Sequence, residues 1–409
     1  SDAGTYPITV SGARDVNYTI AFVPGTLTVT PANLVITAES QSKVYGAALP
    51  VLTVTYSGFV NGDTVANLDT PVQVTTTATP ASNVGTYPIS ASSAADLNYA
   101  IVFEEGALTV TAAELVITAD DKTKIYGSAN PEFTASYSGF VNGDTVASLD
   151  TPVSLSTSGT EASSVGAYPI TPSAAVDVNY TIRFVAGTLT VDKAALSVTA
   201  SDASRVYGSA NPVFTGTLTG VVNNDNITAS YATSASAASP VGQYSITPTL
   251  QDPDGKLGNY AVTSVNGTLT VTPAALAVTA NNAARDYGQE NPLLTGTLAG
   301  VMNNDKITAT FSTTAPPASP VGSYPIVPSL FDLESKLGNY TVTKINGTLT
   351  VKNVPPVVNA GPDQEKVALD VVTFAGSFTD PSSPNHAVGW DFGDGSPAVI
   401  GTLTPTHTY

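Results

Sequence analysis

Hydrophobic and polar residues alternate along most of this chain in short segments. At 34–38, 115–119, 196–200 and 276–280, apolar side chains occupy every second position, and the recurring string GTLTV behaves similarly. Gly, Pro, Asn and Asp separate these segments, which is typical of short antiparallel strands. The string DTVASL at 144–149 instead predicts a single helical turn capped by Asp144 or Thr145. The chain is therefore predicted to be all-β.

The same strings return every 80 or 81 residues. GTLTV or GALTV begins at Gly25, Gly106, Gly187, Gly267 and Gly347. A unit of this length with about seven strands favours a two-sheet sandwich. Short junctions that contain proline predict that the units stack as an extended rod, about 150–200 Å long.

The repeat spacing predicts six domains. Residues 1–31 are the C-terminal half of a repeat, whole repeats occupy 32–112, 113–193, 194–273 and 274–353, and a different domain begins at 354 and continues to 409.

Composition narrows the classes of function. The 14 basic and 32 acidic residues give a net charge of −18, which argues against binding to nucleic acid or to an anionic membrane surface. No stretch approaches the roughly 18 consecutive apolar residues of a membrane span. There is no cysteine, and the two histidines, His386 and His407, lie near the C-terminal end. We therefore expect no enzyme, no catalytic residue and no bound cofactor.

Three tyrosines occupy fixed positions in each repeat, in Tyr-Gly, Val-Gly-x-Tyr and Asn-Tyr strings. One interpretation is an exposed ladder of aromatic rings for stacking against sugars. The other is core packing, with each hydroxyl bonded to a backbone turn. Because each tyrosine stands at a strand end beside Gly or Asn, the pattern favours core packing.

Two further motifs receive local structural interpretations. A basic residue precedes each Tyr-Gly tyrosine by two positions, and we interpret it as a surface or edge charge that blocks association between sheets. These basic residues are Lys43, Lys124, Arg205 and Arg285. The pairs Asn266-Gly267 and Asn346-Gly347 are interpreted as turns, in which Asn and Gly accept a positive φ.

Acidic residues recur at two places in each repeat, after the first strand and on the loop that contains NGD or NND. If these two regions meet at the domain junctions, their oxygens would form a weak candidate site for calcium. The candidate ligands are Asp63, Asp120, Asp121, Asp144, Asp202, Asp225 and Asp305.

The recurring strings also resemble a known family. YGSANP at 126–131 and 207–212, SGFVNGDT at 57–64 and 138–145, VGAYPI at 165–170, NYTI and GTLTV together resemble MBG domains. The resemblance implies mostly bacterial Ig-like repeats, arranged in tandem in large surface proteins. From 354 onward, WDFGDGS at 390–396 and HTY at 407–409 resemble a PKD domain, which implies another extracellular Ig-like module.

The resemblance leaves three functions open. The first is a non-catalytic structural stalk of a large bacterial extracellular or cell-surface, adhesin-like protein, with other domains of the same protein as partners. The second is a self-assembling extracellular filament, in which the strand GTYPITV at 4–10 of one chain completes the last domain of an identical chain, head to tail. The third is a module that binds a cell-surface glycan or protein.

Overall fold

The computed structural model describes residues 1–383 and 385–409 and shows an all-β chain. The chain divides into two compact units. The first contains 1–195 together with the short segments 222–225 and 255–261, and the second contains 196–221, 226–254 and 262–409. The all-β expectation and the tandem sandwich fold are confirmed, whereas the domain boundaries stay a prediction.

The first unit opens with a two-stranded antiparallel ladder, in which Gly4 pairs with Val29. Its strands are β1 (Gly4–Ile8) and β2 (Gly25–Val29). Seven strands then form a pair of sheets, with the orders β5-β3-β8 and β4-β9-β7-β6. Those strands are β3 (Ala32–Ala38), β4 (Gln41–Val44), β5 (Val54–Ser57), β6 (Gln73–Thr76), β7 (Gly85–Ser92), β8 (Tyr99–Glu104) and β9 (Gly106–Thr111).

The next seven strands of the first unit repeat this arrangement, with the orders β12-β10-β15 and β11-β16-β14-β13. They are β10 (Ala113–Ala119), β11 (Lys122–Ile125), β12 (Ala135–Ser138), β13 (Ser154–Thr157), β14 (Gly166–Ser173), β15 (Tyr180–Val185) and β16 (Gly187–Asp192).

Two further sandwiches of the same kind lie mostly in the second unit. The third sandwich has β17 (Ala194–Ala200), β18 (Ala203–Val206), β19 (Gly216–Thr219), β20 (Thr228–Ala232), β21 (Gly242–Gln251), β22 (Tyr260–Val265) and β23 (Gly267–Thr272). The fourth has β24 (Ala274–Ala280), β25 (Ala283–Asp286), β26 (Gly296–Ala299), β27 (Ile307–Ser312), β28 (Gly322–Asp332), β29 (Tyr340–Ile345) and β30 (Gly347–Lys352). Their sheet orders match those of the first two sandwiches.

The C-terminal segment of the second unit forms three two-stranded sheets, β31-β33, β32-β36 and β34-β35. The strands are β31 (Val357–Asn359), β32 (Val371–Thr373), β33 (Ser377–Thr379), β34 (Gly389–Trp390), β35 (Val399–Ile400) and β36 (Thr406–Thr408).

Helical structure in the described ranges is limited to four single 3-10 turns. They span Val65–Asn67, Val146–Ser148, Leu257–Asn259 and Leu337–Asn339. Thr145 caps the second turn, since its side chain accepts a hydrogen bond from the Ala147 N–H. The predicted turn is therefore confirmed, with Thr145 rather than Asp144 as its cap.

Two strand pairs in each sandwich are parallel, so the expectation of antiparallel pairing alone was wrong. In the second sandwich, β10 runs parallel to β15 from Ala113↔Tyr180, and β11 runs parallel to β16 from Lys122↔Leu189. The offset is 67 residues in both pairs. The run formed by the first two strands, β10 and β11, therefore stays beside the run formed by the last two, β15 and β16, while both runs cross from one sheet to the other. Hydrophobic alternation predicts each strand but not the direction of its neighbour.

The core of each sandwich is the apolar side of this alternation. In the first, Leu34 and Ile36 of one sheet and Ile89 and Leu108 of the other are fully buried in one cluster.

The last strand of each sandwich begins with a glycine, at the point where the chain passes from one sheet to the other. A Cβ on Gly267 would lie 2.6 Å from the Ser201 carbonyl oxygen. This glycine is a site of close backbone approach, and the predicted positive-φ turn was wrong.

Candidate functional site at the repeat junctions

The tyrosine of the Tyr-Gly string in one repeat packs against the following repeat. Tyr45 follows β4, and its N–H donates to the Thr111 carbonyl at 2.8 Å, which holds the residue at the end of the sandwich. Its hydroxyl then donates to Asp144 Oδ2 at 3.1 Å, and its ring meets Tyr180 edge to face at 5.6 Å. Tyr45 is buried by this contact. Core packing was the right choice over an exposed ladder, but the packing is between repeats.

The accepting carboxylate lies in a socket of the following repeat, which is formed by Val141, Asp144 and Tyr180. The Tyr180 hydroxyl donates to Asp144 Oδ2 at 2.7 Å and accepts the Val141 N–H at 3.0 Å. Between these residues the chain passes through Asn142 and Gly143 at φ of 57° and 80°, a left-handed conformation that Asn and Gly tolerate. The NGD string therefore turns the carboxylate of Asp144 back toward both tyrosines.

The same socket recurs at the next two junctions. Tyr126 donates to Asp225 Oδ2 at 3.0 Å, and Tyr260 donates to the same oxygen at 2.7 Å. In the second unit, Tyr207 and Tyr340 donate to Asp305 Oδ2 at 3.0 and 2.6 Å. Each junction thus places one carboxylate between two tyrosine hydroxyls, one from each repeat.

The glycine after each of these tyrosines makes room for the socket loop. A Cβ on Gly46 would lie 2.5 Å from Val141, and one on Gly127 would lie 2.5 Å from Val222. Gly208 meets Met302 at the same distance. Any side chain here would push the two repeats apart.

An asparagine completes each junction. The Asn179 side-chain oxygen accepts the Val84 N–H of the preceding repeat at 2.9 Å, beside the socket tyrosine. Asn259 and Asn339 accept the N–H groups of Val165 and Val241 at the same distance. The Asn that precedes this tyrosine in every repeat is the sequence signal of this role, which the alternation of strand residues does not reveal.

Burial and the carboxylate shift the titration of the socket tyrosines. Desolvation, followed by the hydrogen bond to Asp144, raises the pKa of Tyr180 to about 12. The same causes raise the pKa of Tyr260 and of Tyr340 to about 12. The sockets therefore hold neutral tyrosine hydroxyls that donate to the aspartates.

The third tyrosine of each repeat bonds within its own strand end. The Tyr87 hydroxyl donates to the Asn83 carbonyl at 2.9 Å, and Tyr168 donates to the Ser164 carbonyl at 2.8 Å. Tyr244 and Tyr324 bond in the same way to residues four positions earlier. This is the backbone-turn bond that the sequence predicts.

The four basic residues are buried, so their assignment as surface charges was wrong. Lys124 is 7% exposed, and its ammonium donates to the carbonyls of Ser128 and Thr160. Arg285 is 6% exposed and donates to Asn291 and to the Pro316 carbonyl. Desolvation lowers the pKa of Lys124. Each cation ties its strand to a loop through carbonyl oxygens, a role that a single charged residue in a polar string does not reveal.

The structure separates the proposed calcium ligands. Three of them, Asp144, Asp225 and Asp305, lie in junction sockets, and Asp63 accepts the Tyr99 hydroxyl at 2.8 Å. The other three accept hydrogen bonds within their own repeats: Asp120 from Thr134 and Ser136, Asp121 from the Thr188 N–H, and Asp202 from the Thr268 N–H. In the part of the chain that the structure describes, no group of three acidic or histidine side chains is placed to hold a metal. Calcium binding stays a prediction.

The C-terminal segment carries an aromatic cluster and a cavity. Trp390 packs against Phe374 with ring centroids 5.6 Å apart, and its Nε1 donates to the Thr402 carbonyl at 3.0 Å. Beside it, a cavity of about 390 Å³ is lined by Phe378, His386 and Leu403 among others.

The molecule carries no helix, within its described ranges, that has the length and apolar character needed to cross a membrane.

Comparison with family models identifies the repeats. The model described as MBG domain (YGX type) matches residues 1–28, 34–109, 115–190, 196–270 and 276–350. The model described as PKD domain matches residues 353–409. Both are non-catalytic Ig-like families typical of extracellular proteins.

Several solved structures are similar at 10% identity. Drosophila N-cadherin EC1-3 covers 46% of this chain and 77% of its own, with a TM-score of 0.16. The three N-terminal domains of the bacteriophage RB49 outer capsid protein Hoc cover 70% and 99%, with a TM-score of 0.18. A structure titled as the basis of Dscam isoform specificity covers 77% and 98%, with a TM-score of 0.16. These TM-scores are too low to support an argument. Among curated proteins, none matches the chain.

Proposed function

Because the chain belongs to the MBG domain (YGX type) family and carries a PKD domain at 353–409, we propose that it is a non-catalytic stalk segment of a bacterial cell-surface protein. In this role it spaces other domains of the same protein away from the cell. The observation that carries the proposal is the junction: an equivalent carboxylate, that of Asp144, Asp225 or Asp305, joins two repeats at three successive junctions. A spacer needs junctions that resist bending, and a flexible linker would carry none of these bonds.

The junction bonds support a fixed angle between neighbouring repeats. Between the first and second sandwiches, Tyr45 of the first donates to Asp144 of the second, and Asn179 of the second accepts from the N–H of Val84 of the first. Two bonds at separate points oppose rotation better than one. Val141 fills the space above Gly46, so the contact also has a packed apolar part.

The test measures motion at one junction. Because the chain has no cysteine, spin labels attach only to introduced thiols, and Thr75→Cys with Ser156→Cys place one on an exposed strand of each of the first two repeats. Pulsed electron resonance should give one narrow distance distribution in the wild-type background. Asp144→Ala should broaden it, and Asp69→Ala, outside the socket, should not. A broad distribution in the wild-type background would reject the stalk. Concentration-dependent polymers in sedimentation would favour the filament instead.

A second candidate, ligand binding by the PKD domain, is favoured by the cavity beside Trp390. Because Trp390 is the only tryptophan, its fluorescence reports this cavity without interference. Titration with cell-surface glycans should change the emission if the cavity binds them, and Trp390→Phe should abolish the signal. An unchanged emission spectrum would reject the candidate.

A further inference from the structure

In the first, second and fourth repeats, the first two strands form a run that pairs in parallel, in one constant register, with the run formed by the last two strands. In the second repeat, the run from Ala113 to Ile125 lies parallel to the run from Tyr180 to Asp192, through six register pairs in one sheet and four in the other. The first repeat has the same pairing from Ala32↔Tyr99 to Val44↔Thr111. In the fourth, it runs from Ala274↔Tyr340 to Asp286↔Lys352.

This pairing determines how a pulling force acts on a repeat. A pull along the chain enters at the N-terminal end of the first strand and leaves at the C-terminal end of the last. In a parallel pair these are opposite ends, so the strands must slide lengthwise past each other. The load is then shared by all the rungs, which must break together. An antiparallel hairpin pulled at its two adjacent ends instead opens one rung at a time.

Further bonds extend the pair at both ends. The Ala113 N–H donates to the Asn179 carbonyl at 2.9 Å, and the Tyr126 N–H donates to the Asp192 carbonyl at 2.8 Å. The equivalent bonds, Ala32 to Asn98 and Tyr45 to Thr111, close the pair in the first repeat. The ladder therefore spans the strands to the points where force would enter and leave.

The buried cation anchors the second strand of the repeat. Lys124, in β11, donates to the Thr160 carbonyl of a loop 36 residues away. Arg205 and Arg285 make the corresponding bonds to the carbonyls of Ser236 and Pro316. Because β11 lies at a sheet edge with β16 as its single partner strand, this bond supplies a second attachment against sliding.

We propose that each MBG repeat of this chain is a force-bearing element, in which the first two strands and the last two strands, paired in parallel, form a clamp that resists extension in shear. The proposal rests on the stalk function, since a stalk that connects a cell to an attached object transmits tension. It adds that the resistance lies inside each repeat, in the strand pair and its buried cation, rather than in the junctions.

Single-molecule pulling on the full chain tests the clamp through two pairs of introduced thiols. Glu114→Cys with Lys193→Cys loads the second repeat along its clamp. Ser154→Cys with Ser173→Cys, at register partners of an antiparallel pair, loads the same repeat as a zipper. All four positions are exposed. The first pair should give unfolding events of about 280 Å of contour length at 3.6 Å per residue, at several times the force of the second pair.

Two variants then test the cation. In the clamp geometry, Lys124→Met should lower the unfolding force, and Lys124→Arg should keep it, because arginine fills this position in two other repeats. Equal forces in the two pulling geometries would overturn the clamp. With equal forces but a narrow spin-label distance distribution, the clamp would be rejected and the stalk function retained. With a higher force in the clamp geometry but a broad distance distribution, the stalk function alone would be rejected.

Discussion

Removal of one hydroxyl from a junction socket should loosen that socket measurably. Tyr207→Phe deletes the group that donates to Asp305 at 3.0 Å, and both residues are buried. A hydrogen bond to a charged acceptor contributes about 1.5–3 kcal/mol. Since Asp305 keeps the Tyr340 hydroxyl at 2.6 Å, the lower part of this range applies, and we expect about 1.5–2 kcal/mol.

Amide hydrogen exchange is the direct assay for this loss. Because about 1.4 kcal/mol corresponds to a factor of ten, amides of the socket loop, such as that of Met302, should exchange about ten to thirty times faster in Tyr207→Phe. Tyr287→Phe is the matched control, since Tyr287 occupies the same position in the fourth repeat and its hydroxyl has no hydrogen bond among the described residues. A change of less than about twofold in Tyr207→Phe, or equal changes in both variants, would refute the role of the socket.

Four other outcomes are expected. Lys124→Met should destabilise its repeat by about 1–3 kcal/mol in denaturant unfolding, since two partly buried hydrogen bonds of the ammonium are lost; a loss just as large in Lys124→Arg would contradict this reason. Gly267→Ala should cost about 2–3 kcal/mol or more through collision with a carbonyl, while Gly258→Ala, with nothing near its Cβ, should be nearly neutral. Raising the pH should lower the free energy of unfolding between about pH 10, where tyrosine in the unfolded chain ionises, and about pH 12, the pKa of Tyr340 in the folded chain. Tyrosinate absorbance should show a group of tyrosines that titrate late, and a single transition near pH 10 would contradict this expectation. A chelator should leave the melting temperature within a few degrees, and a drop of many degrees would mean that calcium is structural.

The sequence predicts the strands of this fold because hydrophobic alternation is a local property. It predicts about seven strands per repeat and the Thr145 cap from residues within one segment. It does not predict partners that lie far apart along the chain. Tyr45 and Asp144 are 99 residues apart, so that a pattern confined to one repeat cannot join them. Gly267 resembles a turn glycine because Asn-Gly strings are common in turns, and its actual constraint comes from a carbonyl 66 residues earlier.

The buried cations show a second limit of sequence reasoning. Lys and Arg are seldom buried, so Lys124 and Arg285 were assigned to the surface. Their partners are carbonyl oxygens, which every residue possesses and no sequence motif marks. By contrast, the occurrence of Lys in two repeats and of Arg in two others at the same position indicates the role of this residue. It is consistent with a cationic donor of sufficient reach, which either side chain supplies.

The junction has a consequence for how such proteins change in evolution. Each repeat carries a tyrosine at one end and its acceptor at the other, and the second junction joins two sequence subtypes, NGDT and NND, through the same bonds. A duplicated or deleted gene segment of whole-repeat length therefore brings its own matching surfaces with it. Unequal recombination can lengthen or shorten the array without any new interface having to arise, and the number of repeats becomes a heritable quantity adjusted in whole units.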